Sequence, residues 1–422
     1  MGPVGGAAQA STTLARRLGV GDAVVLGLGA MIGTGVFVVF APAAAATGAG
    51  LLLGLAVAAV VAYANATSSA RLAALYPASG GTYVYGRERL GHMWGYLAGT
   101  GFIAGKISSC GAAALAVGVY AAPDFSRPVG AAAVAFVTAV SYRGITKTAR
   151  LTRVLVAVLL AVLALVVVAA LAGGRPGAGQ LAPWFPGGAR GVLQAAGLLF
   201  VAFAGYARIA TLGAEVRDPA RTIPRAIPLA LAVALAVYAA VAVSLLLALG
   251  PAQLAASPAP LAAAVSGGPL HALTPIVRVG GAVAALGALL SLVAGISRTV
   301  YAMASQGDLP RWFAAVHPRF AVPHHAELVV GAVTLAVVAA GGLTAAVGFS
   351  AFTVLVYYSI TNACALTLPR TRRWPFFLAL LGLVGCLVLA ANLSWPVLAA
   401  GCGLYALAVI GYLASRGRIA AG

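Results

Sequence analysis

Twelve apolar runs, most of them about 20 residues and so long enough to cross a lipid bilayer, follow one another through this chain. They fall at 23–46, 51–71, 93–122, 129–142, 154–172, 191–213, 226–250, 272–297, 328–343, 346–368, 375–391 and 394–414. The fourth is short and the cut between the ninth and tenth is soft, so eleven or thirteen runs can also be read. Only 8% of the residues are charged, where a soluble domain averages about a quarter. Too few charges remain to cover a water-facing surface. The expected fold class is an all-α polytopic membrane protein with no soluble domain between its spans. The first ~19 residues read as a polar tail with Arg16 and Arg17 and no cleavable signal peptide.

The formal net charge is +19, which in a soluble protein would suggest a nucleic acid partner. Its placement argues otherwise. With the N-terminus set in the cytoplasm, Arg127, Arg175, Arg190 and Arg278 fall on the outer side and Lys106 falls within a span. All the other Lys and Arg residues then lie on the cytoplasmic side, as the positive-inside rule demands. The basic balance is therefore topology: a multi-pass protein of the cell (plasma or inner) membrane, both termini cytoplasmic, with no nucleic acid partner. Cys110, Cys364, Cys386 and Cys402 all sit in apolar runs and read as packing residues, not as a disulfide set or a metal cage.

Two of the spans are interrupted. The segment "GLGAMIGTGVF" at 27–37 carries Gly27, Gly29, Gly33 and Gly35, and each glycine weakens a helix by roughly 1 kcal/mol against alanine. Span one is expected to break there. Span six, "FVAFAGYARIATLGAEV", is interrupted around Ala204-Gly205. The two breaks are five spans apart, an odd number, so a second copy of a five-helix unit would lie inverted relative to the first. Paired interruptions in matching positions point to a transporter's midplane binding site.

Unwinding a helix in hydrocarbon leaves N–H and C=O groups unpaired at several kcal/mol each, so a ligand, water or neighbouring protein must satisfy them. At Gly33, Thr34 and Gly35 a second half-helix begins, and its first N–H groups suit a carboxylate. Thr34 adds a hydroxyl. At 201–205 the other half-helix ends, and the carbonyls of Val201, Ala202 and Ala204 suit an ammonium. Phe203 and Tyr206 are candidates for the walls of a side-chain pocket. Such clusters would hold a zwitterion by its main-chain groups. The plainer alternative for "GAMIGTG" is close helix packing through small residues.

These residues also resemble a known family. "GLGAMIGTGVF" and "VAFAGYARIATLGAEVRDPARTIPRAI" are similar to the first- and sixth-helix signatures of the amino acid–polyamine–organocation permeases. "YPASGGTYVYGRERLG" after span two and "GISRTVYAMASQGDLP" after span eight match the same family's inner loops. The likeness covers nearly the whole chain in order. It implies a leucine-transporter-type five-plus-five inverted repeat with two extra C-terminal helices. The implied division is a tail at 1–19, repeats at 20–173 and 190–368, the extra helices at 369–414 and a tail at 415–422. It also implies secondary active uptake or exchange of amino acids, with no cofactor. Carried over by position, Met31, Gly33, Thr34 and Gly35 fall where members bind the carboxylate. Val201, Ala202 and Ala204 fall where they bind the amino group.

Lys106 lies near the middle of span three, in "GFIAGKISSCGAAALAVG". An ammonium there is expensive to bury and marks a pathway or a relay. Some relatives place a proton-handling lysine in the fifth span, but here that span, "VLVAVLLAVLALVVVAALA", has no ionisable residue. Lys106 is therefore the candidate for proton coupling, against the plainer reading of a stem that snorkels to a water-filled vestibule. Arg208 and Glu215 are seven apart on one face of span six and are candidates for an inner gate. Ser291 and Ser297 would be needed for sodium coupling, the weaker alternative, since such hydroxyls more often bond their own helix. Asp218, Asp308 and Glu88 read as structural partners of nearby arginines. Asn65, Tyr357, Tyr358 and Asn362 read as residues that join helices, and His324-His325 as loop.

An intramembrane enzyme would need a nucleophile with a base, or metal ligands, within the spans, and the sequence offers neither. Rings of polar residues, as a channel requires, are not apparent. The expected function is proton-coupled symport of small or medium neutral amino acids across the bilayer. Amino acid exchange, polyamine or cationic amino acid transport, and a non-transporting sensor subunit are the alternatives.

Overall fold

The structure, a computed structural model, describes residues 19–76, 80–144, 149–173, 181, 184–210, 216–369 and 373–420. Each of the twelve apolar runs contains helix. The first span is built from α1 (Val20–Met31), α2 (Gly35–Val38) and α3 (Phe40–Thr47), and the second is α4 (Leu51–Leu75). A short helix, α5 (Thr82–Arg89), precedes α6 (His92–Ala121), α7 (Ser126–Tyr142) and α8 (Ala149–Gly173). Span six is α9 (Gly188–Phe203), a 3-10 turn over Ala204–Tyr206, and α10 (Ala207–Ala210). Then come α11 (Pro219–Ala256), the short α12 (Pro260–Ser266) and α13 (Thr274–Ser305). The chain ends with α14 (His324–Ala340), α15 (Leu343–Leu366), α16 (Arg373–Ala391) and α17 (Trp395–Ala420). Among the described residues nine segments are long and apolar enough to cross a membrane, and the apolar stretches in α14 and α16 are shorter. The protein is an all-α polytopic membrane protein.

The soft points of the sequence reading resolve locally. Gly341 and Gly342 separate α14 from α15, so the ninth and tenth spans are distinct. Helix α14 starts at His324, earlier than expected, because Pro323 lacks the N–H a continuing helix needs and serves as its N-cap. His324 and His325 thus lie in the first turn of a helix rather than in a loop, with the His325 ring stacked on Trp312 at 4.1 Å. Glu327, in the same turn, is buried, and Ser141 Oγ donates to it at 2.9 Å.

Helix α6 runs through the middle of the bundle and packs against α13, α15, α7 and α5. Lipid tails are as apolar as leucine, so helices associate by close approach and not by hydrophobic exclusion. Its small residues permit this: a side chain at Gly105 would strike Thr353 of α15, and one at Gly111 would strike Val337 of α14. On the outer helices some large apolar side chains turn outward. Val154, Val158 and Val168 of α8, and Leu407, Ile410 and Leu413 of α17, are all exposed and face where lipid would lie. The expected helix-joining residues do join helices: Asn362 of α15 donates to Asn65 Oδ1 of α4 at 2.5 Å, and Asn65 donates to Cys386 Sγ of α16 at 3.0 Å.

Candidate functional site

Span one breaks where α1 stops. Ile32, Gly33 and Thr34 are not helical, and the helix resumes at Gly35. Gly27 and Gly29, expected to contribute to the break, lie inside α1 and serve packing. A Cβ on Gly27 would strike the Ile209 side chain, and one on Gly29 would come 2.9 Å from Val156 Cγ2. Close packing and helix rupture therefore divide the four glycines between them. Span six departs less from helix: α9 tightens into the 3-10 turn at Ala204–Tyr206 and continues as α10.

The two breaks meet backbone to backbone. A Cβ on Gly205 would lie 2.5 Å from both Ala30 O and Met31 N, and one on Gly35 would lie 3.0 Å from Ala202 Cα. No side chain fits between them. Of the expected site residues, Met31, Ala202, Phe203, Ala204 and Tyr206 are buried, and Thr34 is 9% exposed. The structure thus brings the two clusters together.

Their polar groups differ in how they are satisfied. Among the described residues the N–H groups of Gly33, Thr34 and Gly35 have no backbone partner, and Thr34 Oγ1 is buried without a hydrogen bond. That is a set of bare donors with a hydroxyl beside them. The carbonyls are all taken. The Ala204 N–H donates to Val201 O, the Tyr238 hydroxyl of α11 reaches Ala202 O at 2.9 Å, and the Tyr358 hydroxyl of α15 donates to Ala204 O at 3.2 Å. Tyr238 also lies 2.8 Å from Met31 O, and Tyr120 of α6 donates to Phe37 O at 3.3 Å. Phe203 and Tyr206, expected as pocket walls, pack on these tyrosines: Phe203 edge-on to Tyr238 at 5.1 Å, Tyr206 beside Tyr358 at 5.2 Å.

Sequence reasoning missed Tyr238 and Tyr120. Each is a tyrosine in a mostly apolar helix, where a buried polar tip needs a partner. Other hydroxyls share those helices, such as Ser108 and Ser109 with Tyr120 and Ser244 with Tyr238, so nothing in the sequence singles these two out.

Lys106 is half-buried in the middle of α6. Its Nζ lies 6.0 Å from the Phe102 ring centre, and among the described residues no carboxylate pairs with it. Phe102 in turn packs on Tyr357 at 5.4 Å, next to Tyr358. Three aromatic side chains, Phe102, Tyr357 and Tyr358, therefore link Lys106 to the span-six break. Arg208 is exposed on α10, while Glu215 lies outside the described residues. Ser291 and Ser297 donate to Gly287 O and Val293 O of their own helix, at 3.1 and 2.8 Å. No cluster of His, Cys, Asp or Glu suited to a metal occurs among the described residues.

A second polar assembly closes the end of the bundle at which α1 begins. Asp308, after α13, has a side chain only 3% exposed. It accepts from the Tyr83 hydroxyl at 2.6 Å, pairs with Arg87 at 2.9 Å and meets His92 Nε2 at 2.8 Å. His92 Nδ1 faces the Tyr412 hydroxyl of α17 at 3.1 Å. Burial first, then the Asp308 bond and charge, push the Tyr83 phenol up, so it stays a donor throughout the physiological range. Burial works against the charge on Arg87, but Tyr83 and Asp308 together hold its guanidinium above the ordinary value. Helix α5 is also strapped to α15. The Tyr357 hydroxyl takes the Thr82 N–H at 3.0 Å, Thr82 and Thr361 hydroxyls meet at 2.6 Å, and Arg89 reaches Thr367.

A family model described as amino acid permease matches residues 18–415. An uncharacterized transporter of Mycobacterium tuberculosis is 59% identical over 403 residues, covering 94% of this chain and 91% of the relative. A branched-chain amino acid permease of Bacillus subtilis is 27% identical, with 92% and 90% covered. A chloroplastic cationic amino acid transporter of Arabidopsis thaliana is 26% identical, with 90% and 70% covered.

Proposed function

The chain belongs to the amino acid permease family and is an amino acid transporter, and from that premise we propose that it carries small or medium neutral amino acids in symport with protons. The observation that carries this reading is the pairing of opposites at the breaks. Bare N–H groups at Gly33, Thr34 and Gly35 lie across from the carbonyl ends of α1 and α9. A zwitterion matches both in charge, its carboxylate toward the bare donors and its ammonium toward the carbonyl-bearing helix ends. The residues around it, among them Met31, Val201, Phe203 and Tyr206, are uncharged, which favours a neutral side chain.

In this reading the end of the bundle closed by Asp308 faces the cytoplasm, as do both termini, in the cell membrane. Five helices at 20–173 and five at 190–368 form inverted halves, followed by two helices at 369–414. Alternating access moves one half against the other around the fixed breaks. Arg208 and Glu215 belong to the inner gate. Lys106 is the proton carrier, because a half-buried ammonium without a carboxylate partner is costly to keep and cheap to discharge.

Two measurements test these statements separately. Purified protein in proteoliposomes exchanges labelled neutral amino acids in counterflow, a saturable process that a sensor or a channel does not perform. Lys106→Ala removes at least nine-tenths of the uptake driven by an inward proton gradient while leaving ligand-induced thermal stabilisation intact. Uptake by the variant with the same proton dependence as the native protein refutes the assignment of Lys106.

A further inference from the structure

We propose that the Tyr238 hydroxyl is a stand-in for the substrate's ammonium, occupying the carbonyl site until an amino group displaces it. The inference rests on the amino acid reading of the breaks given above.

Helix α1 ends at Met31, and α9 gives way to a 3-10 turn after Phe203, so carbonyls from the last turns of both helices meet at one place, with the full negative end of α1 among them. At that place stands one phenol. Tyr238 Oη is 2.8 Å from Met31 O and 2.9 Å from Ala202 O, and the residue is 1% exposed. A hydroxyl has one proton, so two carbonyls share a single donor. A neighbouring tyrosine covers the next acceptor: Tyr358 donates to Ala204 O at 3.2 Å. Without these hydroxyls the carbonyls would be buried and bare, which is costly in this setting.

An alkylammonium is a better fit for the same oxygens. It brings three N–H donors where the phenol brings one, and its bonds to carbonyls are charge-assisted, roughly twice as strong as neutral ones. It also answers the negative end of α1, which a neutral hydroxyl does only weakly. Substrate binding at this point is therefore an exchange of donors: the ammonium takes Met31 O and Ala202 O, and the phenol tip gives way. Affinity is the difference between the two sets of bonds. Tyr238 thus tunes the site toward amine-bearing ligands and keeps it closed in their absence.

The test uses Tyr238→Phe in the full-length protein, with L-valine as probe and 3-methylbutanoate, the same acid without the amino group, as control. Removing the hydroxyl frees both carbonyls and leaves room for one more atom. The variant has a lower Tm than the native protein without ligand. It binds L-valine about tenfold more tightly, the yield of one hydrogen bond no longer displaced, and binds 3-methylbutanoate as the native protein does. Valine affinity that is unchanged or weaker, or an equal gain for 3-methylbutanoate, overturns the proposal. Tyr358→Phe frees only Ala204 O and gives a smaller gain of the same sign. If Tyr238→Phe does not fold, absence of any gain in Tyr358→Phe is the overturning result. Failure of the native protein to bind any of the twenty amino acids overturns the reading of the site itself, and this inference with it.

Discussion

Gly205→Ala abolishes transport. The added methyl group would sit 2.5 Å from Ala30 O and Met31 N, and these are backbone atoms that cannot rotate aside as a side chain does. The two interrupted helices must separate to admit it. Overpacking a well-filled interior costs about 1–3 kcal/mol, and here the displacement falls on the carbonyls and N–H groups that define the binding site. We expect uptake in proteoliposomes to fall by at least a hundredfold, with a lower Tm. Two glycines of α1 serve as internal controls. Gly29→Ala meets the Val156 and Thr152 side chains, at 2.9 and 3.1 Å, and these have room to adjust, so its effect is milder. Gly21→Ala meets nothing within 4 Å and should raise stability by up to roughly 1 kcal/mol through helix propensity alone. Native uptake by Gly205→Ala would mean that the breaks do not touch.

Asp308→Ala opens the end of the bundle at which α1 begins. The carboxylate is 3% exposed and joins Tyr83, Arg87 and His92, drawn from α5 and the start of α6. Its removal strands a guanidinium that is itself only a quarter exposed. Breaking one partner of a buried pair costs about 3–5 kcal/mol, and partial exposure of Arg87 and His92 brings the expected loss to the lower end. The expected result is a fall in Tm together with at least tenfold slower uptake, while ligand binding persists because the breaks are untouched. A double-mutant cycle with Arg87→Ala measures how much of the loss belongs to that pair. Additive effects in the cycle would assign the loss to the other partners of Asp308 and sink the claim that the Arg87 pair holds this end.

The sequence made the architecture legible because hydrocarbon permits so few structures: long apolar runs with paired glycine interruptions allow little besides a helical bundle with two broken members. Gly33 lies in the first break, as expected, and Gly35 opens the helix beyond it. The same reasoning overreached at Gly27 and Gly29, because a glycine that breaks a helix and one that admits a neighbour are identical in one dimension. Asp308 was expected to meet an arginine and does, but its contact with His92 could not be foreseen. The Tyr238 hydroxyl was invisible for a related reason: its acceptors are backbone oxygens 207 and 36 residues away along the chain, and backbone atoms leave no trace in composition.

Tyr357 and Tyr358 are consecutive residues on α15, yet one holds Thr82 of the closing helix and the other holds Ala204 at the break. A single rigid rung therefore reports on two places at once. Thermodynamic reciprocity then supplies a test: whatever factor an antibody fragment docked on α5 imposes on cargo affinity, cargo imposes the same factor on affinity for the fragment. Ligands for the α5 surface and ligands for the buried site are, in this molecule, coupled equally in both directions or not at all.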